Sequence, residues 1–137
     1  HSNSINEICA NTFFKCISLK QFVIPHSVKQ IKKFAFFGCS SLEIIDIPDS
    51  VMSIEESAFE KCSSLVQISI PSSVAEIGEY AFCECISLTK ISIPSSVTSI
   101  GEGVFEKCTS LTQISIPSSI KKNNLGLSFD KGNITEI

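Results

Sequence analysis

Apolar residues recur along this chain at a fixed interval of 23. The pair Ile-Pro marks the interval at Ile24-Pro25, Ile47-Pro48, Ile70-Pro71, Ile93-Pro94 and Ile116-Pro117, which accounts for all five prolines. With that isoleucine as position 1, position 5 holds Ile5, Val28, Val51, Val74, Val97 and Ile120, and position 8 holds Ile8, Ile31, Ile54, Ile77 and Ile100. Position 13 is Phe13, Phe36, Phe59, Phe82 and Phe105; position 16 is Cys16, Cys39, Cys62, Cys85 and Cys108. Position 19 is Leu19, Leu42, Leu65, Leu88, Leu111 and Ile134, and position 22 is Phe22, Ile45, Ile68, Ile91, Ile114 and Ile137. A register kept this long is an internal repeat, and it dictates the fold.

Inside one repeat the spacing changes. Leu88, Ile91 and Ile93 end in strand-like alternation, and the proline after them cannot donate to a ladder, so the strand stops there. The other apolar set of the repeat, Ala81, Phe82 and Cys85, falls at i, i+1 and i+4, which predicts a short helical turn. Gly78 and Gly101 are expected to permit a tight change of direction before it. Seryl and threonyl residues after most of the position-16 cysteines return the chain to the next strand. One strand and one helical turn cannot bury their own apolar face, so stacked copies must share a core. The prediction is an α/β solenoid of about six coils, forming a single domain over 1–137. Its repeats are 1–23, 24–46, 47–69, 70–92 and 93–115, with a degenerate repeat at 116–137.

The last repeat keeps Ile116, Pro117 and Ile120 but has Asn123, Ser128 and Lys131 where the core Ile, Phe and Cys stand. A polar end is what a solenoid needs against water, so Lys121 to Ile137 reads as a cap. The first repeat retains Ile5, Ile8, Phe13, Cys16 and Leu19 and shows no such cap. Two readings are open for that end: the chain is cut from a longer array, or this end pairs with another copy. Phe14, Phe34 and Phe37 are extra aromatics at positions where later repeats have Ser57, Glu60, Gly103 and Glu106. They are either local packing or an apolar patch for a partner.

The motifs Ile-Pro-x-x-Val, Ile-Gly-x-x-Ala/Val-Phe and Cys-x-x-Leu-x-x-Ile, best seen from Ile93 to Ser115, resemble the BspA-like class of leucine-rich repeats. The resemblance covers essentially the whole chain. It implies a leucine-rich repeat solenoid of the kind found in surface proteins of anaerobic bacteria and parasitic protists, serving adhesion and protein binding.

Composition narrows the function classes. The net charge of −3 and pI near 5.4 argue against a nucleic-acid or anionic-membrane binder. No apolar run is long enough to insert into a membrane, and His1-Ser2-Asn3-Ser4 lacks the features of a signal peptide. The seven cysteines are mostly explained by the repeat. Those at position 16 read as small buried hydrophobes with free thiols, because a ladder of five would have to pair irregularly. Cys9 and Cys83 lie off that column and are expected to be exposed and reactive. Cys83-Glu84-Cys85 lacks zinc-site spacing, so no metal and no cofactor is expected. Glu55, Glu56, Glu79 and Glu102 form an acidic stripe, with a solvated face as the plainer reading and a cation site as the sharper one. Ser27, Ser50, Ser73, Ser96 and Ser119 are expected to hydrogen-bond from coil to coil. No nucleophile has a partner base, which argues against an enzyme. One sequon, Asn133-Ile134-Thr135, carries little weight.

Residues between the core positions of a strand point outward and stack into a face. The C-terminal repeats offer Thr, Ser and Gln there; the N-terminal ones are more varied. The candidate protein-binding residues are Gln21, His26, Glu43, Ile44, Asp46, Asp49, Gln67 and Lys90. Six strands at about 4.8 Å and four residues of strand cover roughly 380 Å², below the approximately 800 Å² per partner of a standard interface. Contact through this face alone should be weak and gain from multivalency. The expectation is a non-enzymatic protein-binding module of a surface protein, adhering to host or neighbouring-cell proteins such as extracellular-matrix components. The alternative is a cytoplasmic interaction scaffold, which free thiols suit equally.

Overall fold

A computed structural model describes residues 5–120, 125–127 and 134–136. Each coil contributes one or two short extended segments. The first holds β1 (Glu7–Ile8) and β2 (Gln21–Val23), and the second β3 (Gln30–Ile31) and β4 (Ile44–Asp46). The third holds β5 (Ser53–Ile54), the fourth β6 (Glu76–Ile77) and β7 (Lys90–Ser92). The fifth holds β8 (Ser99–Ile100) and β9 (Gln113–Ile116), and β10 (Ile134–Glu136) follows. All pairings are parallel. The order β1-β3-β5-β6-β8 builds one sheet, while β2-β4 and β10-β9-β7 build a second, divided one. The five-stranded sheet escapes sequence reading because two residues per strand show no alternation.

The predicted helical turn is not there: no helix occurs among the described residues. An α-helix sends each N–H four residues back, whereas here alternate amides leave the coil. Phe34, Phe36 and Gly38 donate to Glu56, Ala58 and Glu60 of the next coil at 2.8–3.0 Å. Ala35, Phe37 and Cys39 between them donate three residues back to Lys32, Phe34 and Phe36, each at 3.2 Å. The backbone turns by left-handed residues at positions 11 and 15 of every coil: Asn11 and Lys15, Phe34 and Gly38, Ser57 and Lys61, Tyr80 and Glu84, Gly103 and Lys107. Two tight turns per coil present the same i, i+1, i+4 face as a helical turn, which is why the spacing misled. The fold is a leucine-rich repeat β-solenoid of about five turns.

Gly78 and Gly101 also serve a different purpose from the one expected. Neither has a left-handed φ. A Cβ on Gly78 would lie 2.5 Å from the Glu56 nitrogen and 2.7 Å from the Glu55 carbonyl carbon; one on Gly101 would meet the Glu79 backbone. These glycines let the preceding coil approach.

The last coil breaks the interval. Ile134 pairs with Ile114 and Glu136 with Ile116, so the offset is 134 − 114 = 20 rather than 23. Ile134 therefore enters the position-22 column and not that of Leu111. Phe105 N–H finds the carbonyl of Leu125 at 2.8 Å, and Leu125 is fully buried. Phe82 N–H reaches the carbonyl 22 residues on and Phe105 N–H the one 20 on, so the interval is already two residues short at Leu125 and three short at Ile134, a contraction that counting forward from Ile-Pro overlooks. The substitutions Asn123, Ser128 and Lys131, the sequon's Asn133 and Ile137 lie outside the described residues.

Core columns are single-residue stacks. Phe13, Phe36, Phe59, Phe82 and Phe105 lie ring on ring with centroids 5.1, 5.1, 5.5 and 6.1 Å apart. Phe22 packs against Phe13 and Phe36 at the first coil. The position-16 thiols are free, and four donate to a phenylalanine carbonyl of the preceding coil: Cys39 to Phe13 (3.1 Å), Cys62 to Phe36 (3.2 Å), Cys85 to Phe59 (3.2 Å) and Cys108 to Phe82 (3.0 Å). Cysteine suits the column because it is small, apolar and still satisfies a buried carbonyl. Burial raises all four thiols, Cys39 and Cys108 to about 11 and Cys62 and Cys85 well above their ordinary value. Of the position-4 serines, Ser27 donates to Ile5 (2.5 Å) and Ser96 to Val74 (2.8 Å), but the hydroxyls of Ser50 and Ser73 are buried without a partner. The coil-to-coil serine ladder is thus incomplete.

Candidate binding surface

Strand pairing decides which candidate residues meet. Across β2–β4, Gln21 stands opposite Ile44 and Val23 opposite Asp46. Glu43 N–H donates to the Lys20 carbonyl at 2.9 Å, bringing both position-20 side chains to the same edge. Val23 and Ile44 are 83% and 58% exposed on adjoining strands, and Val66 is exposed one coil further on. Glu43, Asp46 and Asp49 are exposed around them, as is His26 on the loop beyond β2. These six candidates therefore form one cluster: an aliphatic centre with a predominantly acidic rim.

Gln67 and Lys90 belong to another. The ladder is interrupted after β4: Gln67 makes a single parallel bridge to Lys90, and no pairing joins Ile44–Asp46 to residues 67–69. Beyond the interruption Lys90 pairs with Gln113 and Ser92 with Ser115. Here the face forms a groove of about 910 Å³ lined by Gln67, Ser69, Lys90, Ser92, Thr112 and Gln113, among others. Its polar lining is uncharged apart from Lys90. The groove residues Thr112, Gln113 and Ser115 were not among the candidates, although their columns place them there. The signal was the column, and the variety of the N-terminal repeats drew attention away from it.

On the opposite, turn side the extra aromatics satisfy one another. Phe14 and Phe37 stack at 5.0 Å, Phe34 meets Phe37 edge-on at 5.6 Å, and Lys15 and Lys61 lie 5.5 Å over the rings of Phe14 and Phe37. They pack on one another, and Phe14 keeps 43% of its surface exposed. The acidic stripe is partly neutralised, with Lys32 3.3 Å from Glu55. Its remainder acts on Tyr80, whose phenol is pushed upward by Glu102, by burial and by Glu106 and Glu79.

Cys9 is exposed as expected, but Cys83 is not: it is 4% exposed and its pKa is raised to about 12, chiefly by burial and then by Glu60, Glu84 and Glu106. Position 14 exposes a long side chain such as Phe14, whereas a short one sinks between its neighbours on adjoining coils. A buried thiol held protonated is no reactive cysteine.

No helix among the described residues is long and apolar enough to cross a membrane. A family model, the BspA type leucine rich repeat region, matches residues 5–134 in six copies. No curated protein matches. Among solved structures, a leucine rich repeat protein of T. pallidum is 38% identical with a TM-score of 0.83, over 85% of this chain and 55% of that one. A leucine-rich repeat protein from Bacteroides ovatus is 32% identical with a TM-score of 0.75, over 85% and 36%. A leucine rich cell surface protein from Faecalibacterium prausnitzii is 36% identical with a TM-score of 0.74, over 85% and 32%. The chain thus spans about half, or less, of the length of these similar proteins.

Proposed function

The chain belongs to the BspA-type leucine-rich repeat family, and from that premise we propose that it is a surface-displayed adhesion module that binds proteins through the face of β2, β4, β7 and β9. Leucine-rich repeat proteins in general are protein-interaction folds rather than enzymes, and the similar F. prausnitzii protein is described as a cell surface protein. The observation that carries the reading is the exposed pair Val23 and Ile44 with Glu43, Asp46 and Asp49 around it. An aliphatic centre desolvated within a charged rim is the arrangement by which small interfaces gain affinity and orientation. The rim selects a partner with basic groups beside an apolar contact. Gln21, His26 and the groove residues Gln67 and Lys90 extend the contact along the same side, with hydrogen-bonding groups for an extended or loop segment.

The test is binding to immobilised extracellular-matrix glycoproteins, with the chain displayed both singly and on a multivalent carrier. Saturable multivalent binding, lost in Glu43→Lys/Asp46→Lys and weakened in Ile44→Ser, supports the reading. The same binding by both variants would move the contact off this face. No binding in either format favours a cytoplasmic scaffold, for which the free thiols of the core are the supporting observation.

A further inference from the structure

We propose that Glu60, Cys83 and Glu84, on the turn side of the third and fourth coils, form a binding site for a borderline-soft divalent cation of the Zn²⁺ type. The solenoid itself makes the juxtaposition. Glu60 and Cys83 occupy position 14 of successive coils, so the stacking that aligns the core also aligns them, and Glu84 follows Cys83 directly. The backbone is pinned on both sides: Lys61 N–H donates to the Cys83 carbonyl and Glu84 N–H to the Glu106 carbonyl, each at 2.8 Å. One ligand atom from each of the three residues lies within 4.8 Å of the others. Tetrahedral ligation at about 2.0–2.3 Å brings donors to roughly 3.5 Å apart, a closure the flexible glutamate side chains can supply.

Two further observations point to a cation. Cys39, Cys62, Cys85 and Cys108 each donate to a carbonyl, whereas the buried thiol of Cys83 has no acceptor among the described residues and lies beside two carboxylates instead. The carboxylates, with Glu106 on the next coil, are like charges: among the described residues the ion pair formed is Lys32–Glu55, and none involves Glu60 or Glu84. On binding a cation the S–H bond breaks, the proton leaves to solvent, and a thiolate–metal bond forms. The donor set decides the class of metal. A thiolate selects against Ca²⁺ and Mg²⁺, which require oxygen, and two carboxylates with one thiolate suit Zn²⁺. Three protein ligands leave one position for water or a partner's side chain.

The experiment is a titration of the reduced chain with Zn²⁺ by calorimetry, and with Cd²⁺ by the ultraviolet thiolate-to-cadmium charge-transfer band. One equivalent should bind, and affinity should rise about tenfold per pH unit because one proton is released. Cys83→Ser should abolish the band. Glu60→Gln and Glu84→Gln, on partly exposed side chains that leave the fold intact, should each cost at least the about 10–100-fold that even outer-sphere partners cost. Cys9→Ser should change nothing, which matters because Cys9 is the exposed thiol and sits 3.8 Å from Glu7. A band that survives in Cys83→Ser, or an affinity unchanged in both glutamine variants, would overturn the site, as would uptake without saturation.

Discussion

Raising the pH should unfold this protein from its core outward. Four thiols, Cys39, Cys62, Cys85 and Cys108, are fully or almost fully buried in one column, and each has its pKa raised from 9.0 because burial disfavours the thiolate. The sign follows from proton counting. Above pH 9 the unfolded chain gives up thiol protons that the folded chain keeps, so stability is intact below that value and falls as pH rises toward the folded values, about 11 for Cys39 and Cys108. At pH 10, one unit above the unfolded value, each thiol removes about 1.4 kcal/mol relative to neutral pH. Four together remove about 5.5 kcal/mol, and Cys83, which burial raises to about 12, adds a fifth such term, so the sum is comparable to the whole stability of a small domain. Urea melts followed by circular dichroism, under reducing conditions from pH 7 to pH 10, would show the loss. In Cys62→Ser/Cys85→Ser, which retains hydroxyl donors for the Phe36 and Phe59 carbonyls, the loss should fall to about three fifths, since three of the five raised thiols remain. A wild-type stability at pH 10 within about 1 kcal/mol of its neutral value would refute the burial argument, since no other feature of the column could offset four such terms.

Three stability measurements test the rest of the architecture. Phe82→Ala opens the aromatic stack between rings 5.5 and 6.1 Å away and should cost about 3–5 kcal/mol in urea melts; a change within 0.5 kcal/mol would contradict the stack. Lys107→Gly relieves a left-handed φ of 62° at an exposed side chain and should raise stability by about 0.5–1 kcal/mol, the steric relief exceeding the added freedom of the unfolded chain, while Lys107→Ala should not. Ser96→Ala loses a hydrogen bond of 2.8 Å and Ser73→Ala removes a hydroxyl that is buried without one, so the first should destabilise by about 1 kcal/mol and the second should be neutral or stabilising; equal effects would show the two hydroxyls to be in equivalent environments.

The repeat made most of the fold legible. Apart from Ile5, which is 53% exposed, the apolar columns named from spacing in the first five repeats are the columns that pack, and the strand pairings between them keep the interval of 23. What spacing could not convey was backbone conformation. Ala81, Phe82 and Cys85 point inward from two tight turns as they would from a helix, and only the destination of the amides separates the two. The left-handed residues were hidden for a related reason: positions 11 and 15 hold Asn, Lys, Phe, Ser, Tyr and Glu as well as Gly, so composition gave no sign. The contraction before Leu125 was hidden because a gap inside the final repeat leaves its Ile-Pro start in phase.

The candidate surfaces were legible to a different degree, and the reason lies in how a solenoid uses its columns. A core column is constrained at every coil by its neighbours, so it repeats and announces itself. A surface column is constrained only where something touches it, so a local change of residue type along the column is the informative event. On the strand face that event is Val23 and Asp46 giving way to Ser69, Ser92 and Ser115 at position 23, with Ile44 interrupting the polar run Gln21, Gln67, Lys90 and Gln113 at position 21, and both changes fall on the first two coils. On the turn side it is Phe14, Phe37, Glu60, Cys83 and Glu106 along position 14. Reading that last column as isolated residues made Cys83 an exposed thiol. Stacked at the spacing of adjoining coils, the same residues bury the thiol and set it among carboxylates, so the change of residue type along one column is what turns a structural stripe into a candidate cation site.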